Sequence, residues 1–397
     1  MKKSCKRIDI TSQKTIEPYI KECLIRHRKR YSLQRLLRRL FNSTDNELER
    51  LKLKDYATVS KFSSKLSKIV AESIKRRAIP RFTPIISIRA DKTTGKERLI
   101  GAEPAMQQFY DYVAVGACGE LWKRRFVRQQ CSSLPGRGQV YGMRMIRGYI
   151  QKDNRQVRYA KSHNLRYTRK CKYFVKMDIR KCYPSADREV LLNLLTRNIG
   201  NEDIIYLWKC LLDSYGRAKT PNGDPYTGIL IGALPSQWAA QFLISYIYRF
   251  VMETGGASHM VMFMDDMLLM GPNRRKLKRL VSKTVNLVRD KLHMEIKPTW
   301  SIRKIDECGI DMMGYVVHAN GKVTMRTRNF IHSRRLLMRM EHGRFGVRSA
   351  QRLVSYKGFF TNSDSSKAFR KYEAERRFKR AQRMLARKAR AENESLL

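Results

Sequence analysis

Apolar residues recur every three to four positions across 19–39, with Lys and Arg filling the gaps. That spacing predicts basic amphipathic helix through much of 15–80. Ser43-Thr44-Asp45 interrupts the run and supplies cap chemistry for a helix starting near Asn46. An alternating stretch at 85–89, turn residues at 91–96 and a second short strand at 98–100 predict a hairpin with a basic tip. One long helix is expected over 105–127 and a loop over 132–138. Further on, an apolar strand at 173–177 runs into Asp178, and a helix covers 187–197. A turn-rich loop fills 220–227, and an apolar helix covers 236–253. Two apolar strands, 260–264 and 267–270, enclose Asp265-Asp266, and an amphipathic helix spans 273–292. A strand is expected over 294–301, then a hairpin formed by 311–317 and 322–325 through Ala319-Asn320-Gly321. The remainder reads as helical and basic.

With 397 residues and 42% hydrophobic content, the chain can bury a core and form two or three domains of about 150 residues. Charge narrows the function. Lys and Arg number 83 against 35 Asp and Glu, a formal +48, which points to a polyanionic partner, chiefly nucleic acid. Segment 151–172 holds eight Lys/Arg and one acid, interleaved with Tyr159, His163 and Tyr167. Cations with aromatics suit a single strand, since charges hold phosphates and rings stack on bases. A solvated loop is the alternative reading. The eight cysteines are scattered without a CxxC pair, which disfavours a zinc module and fits a reducing cytosol. No apolar run reaches a membrane-spanning length, and the N-terminus lacks a secretory apolar segment. A cytoplasmic protein without membrane contact is expected.

Asp265-Asp266 inside an apolar hairpin is costly unless its charge is neutralised. The adjoining residues are Phe, Met and Leu. Hard carboxylate oxygens suit Mg²⁺, with Mn²⁺ as the alternative. Two such ions about 3.5–4 Å apart stabilise both the attacking and leaving oxygens of an in-line phosphoryl displacement. An exposed β-turn is the plain alternative for the pair taken alone.

The order strand–Asp178, helix, loop–helix, strand–Asp265-Asp266–strand, helix, strand is βαββαβ-like, and here the chain resembles the reverse transcriptases. KMDIRKCYPS (176–185) is similar to the first palm motif, GILIGALPSQ (228–237) to the second, and FMDD (263–266) to the catalytic box, with Phe263 where Tyr is usual. MMGYVV (312–317) resembles the primer grip, KTTGKERLIG (92–101) the fingers hairpin, and SLPGRGQ (133–139) a fingers loop of bacterial members. The resemblance implies an α+β right-hand polymerase fold of fingers, ferredoxin-like palm and helical thumb, with a basic helical N-terminal extension. The expected division is 1–80 for the extension, 81–318 for fingers and palm, and 319–397 for the thumb. It implies metal ligation by Asp178, Asp265, Asp266 and the Ile179 carbonyl. Lys297 is implied to protonate departing pyrophosphate. Arg98, Lys92 and Lys96 would bind the triphosphate, and Tyr183 would exclude a 2′-hydroxyl. Ile231, Gly232 and Gln237 would line the nucleotide and template site, and Met313, Gly314 and Tyr315 would position the primer end.

Two departures carry information. Ile231-Gly232 replaces the usual Gln-Gly, and Ser236-Gln237 replaces Ser-Pro, a form resembling diversity-generating retroelement and antiphage-defence enzymes of prokaryotes. Ile cannot make the hydrogen bond that Gln makes near nucleotide and template, so relaxed fidelity or an unusual template mode is expected. Misincorporation equal to that of the Ile231→Gln variant would refute it. About 80 residues follow the primer grip, with few acids for an RNase H centre and no Cys/His endonuclease motif. The expected partners are a noncoding or template RNA, the DNA product and dNTPs, with a second subunit or a second copy of the chain. The tail at 371–390 carries nine Lys/Arg against two acids, which reads as a thumb helix along a duplex backbone. A template-independent or protein-primed polymerase and a non-catalytic RNA-binding scaffold are the rival readings.

Overall fold

The structure, a computed structural model, describes residues 2–90, 95, 97–343 and 345–394. Four helices come first: α1 (Gln13–His27), α2 (Tyr31–Phe41), α3 (Asp45–Lys52) and α4 (Tyr56–Lys75). The periodic run at 19–39 is therefore two helices. Arg28 explains the break, because its guanidinium folds onto the carbonyls of Ile25 and Lys52 and ties the end of α1 to the end of α3. Thr44 caps α3 in a reciprocal capping box with Glu47, and Asp55 caps α4 at Thr58. Strands β1 (Ile85–Ala90) and β2 (Glu97–Ala102) pair antiparallel from Ile85↔Ala102 to Ala90↔Glu97.

The helix expected over 105–127 is broken into α5 (Ala105–Ala117) and α6 (Gly119–Arg125). The Trp122 indole N–H donates to the Val115 carbonyl across the break, so burying the tryptophan bends the chain there. Next comes α7 (Gln139–Ser162), which corrects the loop reading of 151–172 in its first half. The returning segment is pinned to that helix by the buried Asp153 carboxylate. It accepts hydrogen bonds from the Lys170 and Cys171 amides and the Tyr167 hydroxyl at 2.8–2.9 Å. Tyr167 is thus a structural ring, while Tyr159 is 54% exposed and stacks on His163.

The chain continues through β3 (Tyr173–Asp178), α8 (Cys182–Ser185), α9 (Arg188–Asn198), α10 (Glu202–Arg217) and α11 (Leu234–Thr254). Strands β4 (His259–Phe263) and β5 (Asp266–Gly271) lead into α12 (Arg274–Leu292). The strand expected over 294–301 is not formed. Ile296 makes one isolated bridge to Ile179, and Pro298, which lacks an amide proton, starts a turn. The strand falls later, at β6 (Ile302–Lys304). Then come β7 (Ile310–Met312), β8 (Tyr315–Val317), β9 (Val323–Met325), α13 (Thr327–Glu341), α14 (Val347–Thr361), α15 (Ser366–Lys371) and α16 (Ala374–Glu394). The expected two-stranded hairpin at 311–325 is therefore a three-stranded sheet, β7-β8-β9.

The chain divides into two compact units. The first comprises Met1–Arg128, Asp178–Phe250 and Ser282–Pro298. In it α1 packs on α4 and α5, and α5 also meets α10. Gly116 of α5 lies so close to the Tyr19 ring that a Cβ there would come within 2.4 Å of it. The second unit comprises Gln129–Met177, Val251–Val281 and Thr299–Leu397. It holds a four-stranded sheet ordered β4-β5-β3-β6 and the three-stranded sheet. Met143, Ile146 and Ile150 of α7 pack with Val261, Leu268, Tyr315 and Val317 of the strands. A separate core joins α13, α14 and α16 through Leu337, Leu353, Phe360 and Phe378. No helix among the described residues is long and apolar enough to cross a membrane.

Candidate active site

The β4–β5 hairpin pairs from His259↔Met270 to Phe263↔Asp266, which leaves Met264 and Asp265 as a two-residue loop. Met260, Val261, Met262, Met267, Leu268, Leu269 and Met270 are at most 1% exposed, so the hairpin body is dry. Phe263 through Asp266 are half-buried at its tip. Met264 sits at φ 56°, a left-handed conformation that costs a non-glycine residue about 1–2 kcal/mol. Strain of this kind persists where the surroundings enforce it, and it gathers at functional sites. Here it turns the backbone so that two adjacent carboxylates occupy the mouth of an apolar hairpin.

Strand β3 lies beside β5 in the sheet, and Asp178 is its last residue. From Asp178 onward the chain belongs to the first unit and runs against 295–297. The Lys297 amide donates to the Asp178 carbonyl at 2.9 Å, and the Arg180 amide to the Glu295 carbonyl at 2.8 Å. These bonds form the Ile179↔Ile296 bridge without using the Ile179 carbonyl. The Lys297 ammonium ion-pairs with the Asp178 carboxylate. The Oδ1 it faces takes its positive charge from Lys297 and has no further hydrogen-bond partner. Among the described residues, no three His, Cys, Asp or Glu side chains are gathered into a metal cage. The donor chemistry nonetheless fits a hard divalent cation: aspartate oxygens, one of them balanced in this structure by the Lys297 ammonium.

The other sequence candidates of the first unit gather around one turn. Gly228, at φ +74°, lies against the backbone of Tyr183 and Pro184. The Ile229 amide donates to the Tyr183 carbonyl at 3.0 Å. Arg188 donates to the carbonyls of Tyr226 and Gly228 at 3.2 and 3.1 Å. On the far side, the Gly101 amide of β2 donates to the Ile231 carbonyl at 2.9 Å. A Cβ on Gly232, at φ +112°, would come within 2.9 Å of the Gly101 carbonyl oxygen. The 228–232 turn is thus clamped between Tyr183 and the base of the β1–β2 hairpin. Gln237 stands half-buried in the first turn of α11.

Arg98 is exposed on β2 directly opposite Arg89 of β1. Like charges in register repel, so this face is primed for an anion. Only the pairing register singles out Arg89, which the sequence left unmarked. Lys92 and Lys96 lie outside the described residues.

In the second unit, Met313 (φ 56°) and Gly314 (φ 84°) form the two-residue turn between Met312 and Tyr315. Two successive positive φ values match the twist of a tight hairpin. Tyr315 is 1% exposed; its hydroxyl donates to the Gly358 carbonyl at 3.2 Å and its ring packs on Phe359. This tyrosine anchors the hairpin to α14. On α16, Arg376, Arg380, Arg383 and Arg387 recur at steps of four, three and four, along one face. They border a groove of about 1410 Å³ whose apolar lining includes Phe345, Phe369 and Met384.

A buried acid pair lies elsewhere in the first unit. Burial pushes the Glu103 carboxyl up to about 7 and raises Asp111, 1% exposed on α5, well above the usual range. The Tyr215 hydroxyl donates to Glu103 at 3.3 Å. Two adjacent buried carboxyls hold protons that an unfolded chain has released. The native state then binds more protons than the unfolded state between about pH 5 and 7. Stability therefore falls as pH rises through that window. Thermal unfolding across pH 5–8 should show this decline, and Asp111→Asn should flatten it. An equal slope in the variant would refute the assignment.

Residues 129–316 match the family model described as reverse transcriptase (RNA-dependent DNA polymerase). No curated protein matches the chain. Among solved structures, the telomerase from Candida albicans, in complex with a TWJ fragment of telomeric RNA, is similar with a TM-score of 0.45 and 11% identity. That similarity covers 80% of this chain and 66% of that one. An apo telomerase from Candida tropicalis, truncated from its C-terminal domain, is similar with a TM-score of 0.43 and 12% identity, over 74% of this chain and 73% of that one.

Proposed function

From a reverse transcriptase domain at residues 129–316 and the α+β right-hand polymerase fold, we propose that the protein extends a primer on an RNA template by nucleotidyl transfer. The observation that carries this reading is the Phe263–Asp266 hairpin tip inside that domain, where a strained two-residue loop sets two carboxylates on a dry hairpin. Asp178, Asp265, Asp266 and the Ile179 carbonyl would hold Mg²⁺, with Mn²⁺ able to replace it. Such ions would lower the cost of a nucleophilic oxyanion and of charge developing on the phosphate.

The protein's own groups do the rest. A primer 3′-hydroxyl, or a protein hydroxyl, gives up its proton to solvent water and attacks the α-phosphorus of the dNTP. The bond from the α-phosphorus to the bridging oxygen breaks, pyrophosphate leaves, and Lys297 gives it a proton. Arg98 and Arg89, with Lys92 and Lys96, hold the triphosphate. The Tyr183 ring bars a 2′-hydroxyl, supported by the clamp that fixes its backbone to the 228–232 turn. Ile231, Gly232 and Gln237 line the template side, and the Met313–Tyr315 hairpin positions the primer end. Residues 319–397 act as a thumb whose α16 arginines track the duplex phosphates.

The proposed setting is the prokaryotic cytoplasm, in antiphage defence or a diversity-generating retroelement. The template is a dedicated RNA, with a second subunit or a second copy of the chain as further partner. The test is dNTP incorporation with Mg²⁺ on protein purified with its bound RNA, followed by product sequencing. DNA complementary to that RNA is expected. Homopolymer made after RNase treatment, or bound RNA without any product, would overturn the reading.

A further inference from the structure

Large side chains at the N-terminal helices stand out in water where a core would have hidden them. Tyr31 is 72% exposed, Leu53 81% and Tyr56 75%. Single exposed apolar residues are ordinary, but a group of them among cations is not. Contacts already described link the segments that carry them. Arg28 bonds the Lys52 carbonyl, which places the end of α1 beside Leu53, and Tyr31 opens α2 three residues after Arg28. The Lys21 ammonium lies 4.7 Å from the centroid of the Tyr56 ring.

The corner that presents Leu53 and Tyr56 is held tightly. The Leu53 amide donates to Glu49, the Lys54 amide to Leu51 and the Asp55 amide to Arg50. Lys54 takes the left-handed conformation at φ 63°. Asp55 caps Thr58 through both its amide and its hydroxyl, and pairs with Arg50 at 3.1 Å. A rigid aromatic platform loses little conformational freedom on binding.

We propose that this corner, Tyr31, Leu53 and Tyr56 edged by Lys21, Arg28 and Lys54, is a docking surface for unpaired bases of an RNA. Aromatic rings accept any base by its face, and the neighbouring cations take the phosphates between stacked bases. A duplex keeps its bases stacked inside and offers such rings nothing. The chain's +48 charge favours a polyanion as the occupant of this corner. The surface lies outside residues 129–316, so the inference goes beyond the polymerase reading and does not depend on it.

The test uses the full chain with a short mixed-sequence single-stranded RNA, and a blunt RNA duplex of equal length. Tyr31→Ala/Tyr56→Ala should weaken single-strand binding by about thirtyfold or more, through the loss of two stacking rings. Duplex binding should change far less. The unfolding midpoint and extension of an added primer–template should not move. Thiouridine-substituted RNA should photo-crosslink to peptides covering 21–31 and 52–56. Unchanged single-strand affinity would overturn the proposal, as would equal losses on both probes. So would crosslinks confined to other segments, or sedimentation showing that the substitutions dissociate a dimer. Loss of primer extension with the binding difference intact would count against the polymerase reading only.

Discussion

Asp265→Asn and Asp266→Asn are each expected to reduce dNTP incorporation by more than about 10³-fold, a loss of roughly 4 kcal/mol of transition-state stabilisation. RNA affinity and the unfolding midpoint should stay near wild type. The substitution is nearly isosteric, and the hairpin is fixed by its own ladder from His259↔Met270 to Phe263↔Asp266. Removing one charge therefore leaves the backbone at Met264 in place. The midpoint should therefore hold. A carboxylate kept for packing would give the opposite pattern, lower stability with activity retained. Asp178→Asn should show the same loss of incorporation. Its ion pair with Lys297 is broken as well, which separates it from the hairpin variants by a lower midpoint. Retained incorporation in Asp265→Asn would end the metal reading of this hairpin.

The parts of the site that sequence disclosed are those whose chemistry is local. An apolar run ending in acid marks β3 and Asp178, and two apolar runs around Asp-Asp mark the β4–β5 hairpin. The period of 3.6 marks α12, and the Thr44–Glu47 box marks the start of α3. What escaped depends on partners far along the chain. The split of 105–127 at Cys118 and Gly119 follows from burying Trp122 beside Val115, which no local propensity announces. The helical character of 151–162 was obscured by its charge. Its buried face is sparse because Asp153, an acid, serves as the anchor for 167–171. Helix α10 carries Ile204, Leu207, Trp208, Leu211 and Tyr215 at helical spacing, a signal present in the sequence and left unread. Arg89 joined the candidate residues through strand register alone, and the role of Tyr315 as an anchor came from Gly358, remote in sequence. The strand expected at 294–301 failed because apolar alternation cannot overcome Pro298.

Gly228→Ala is expected to be the most damaging small substitution outside the carboxylates. Two costs combine there. At φ +74° a Cβ is strained by about 1–2 kcal/mol whatever surrounds it. The Cβ would also stand 2.2 Å from the Tyr183 carbonyl oxygen and 2.5 Å from the Pro184 carbonyl carbon and oxygen. These are backbone atoms, which cannot swing aside as a long side chain would. The turn must move, and the Ile229–Tyr183 and Arg188–Gly228 hydrogen bonds move with it. Adding about 1–3 kcal/mol for overpacking gives a total near 3 kcal/mol, or an unfolding temperature lower by about 10 °C. Gly223→Ala isolates the first cost. It lies in the same unit at φ +89° with nothing within 4 Å of its Cβ. Its midpoint should fall by only about 3 °C, with incorporation unaffected. Because the clamp seats Ile231-Gly232 beside Tyr183, Gly228→Ala should also raise the dNTP KM more than it lowers kcat. Equal effects of the two alanines would mean that φ strain alone matters and that the contact with Tyr183 is dispensable.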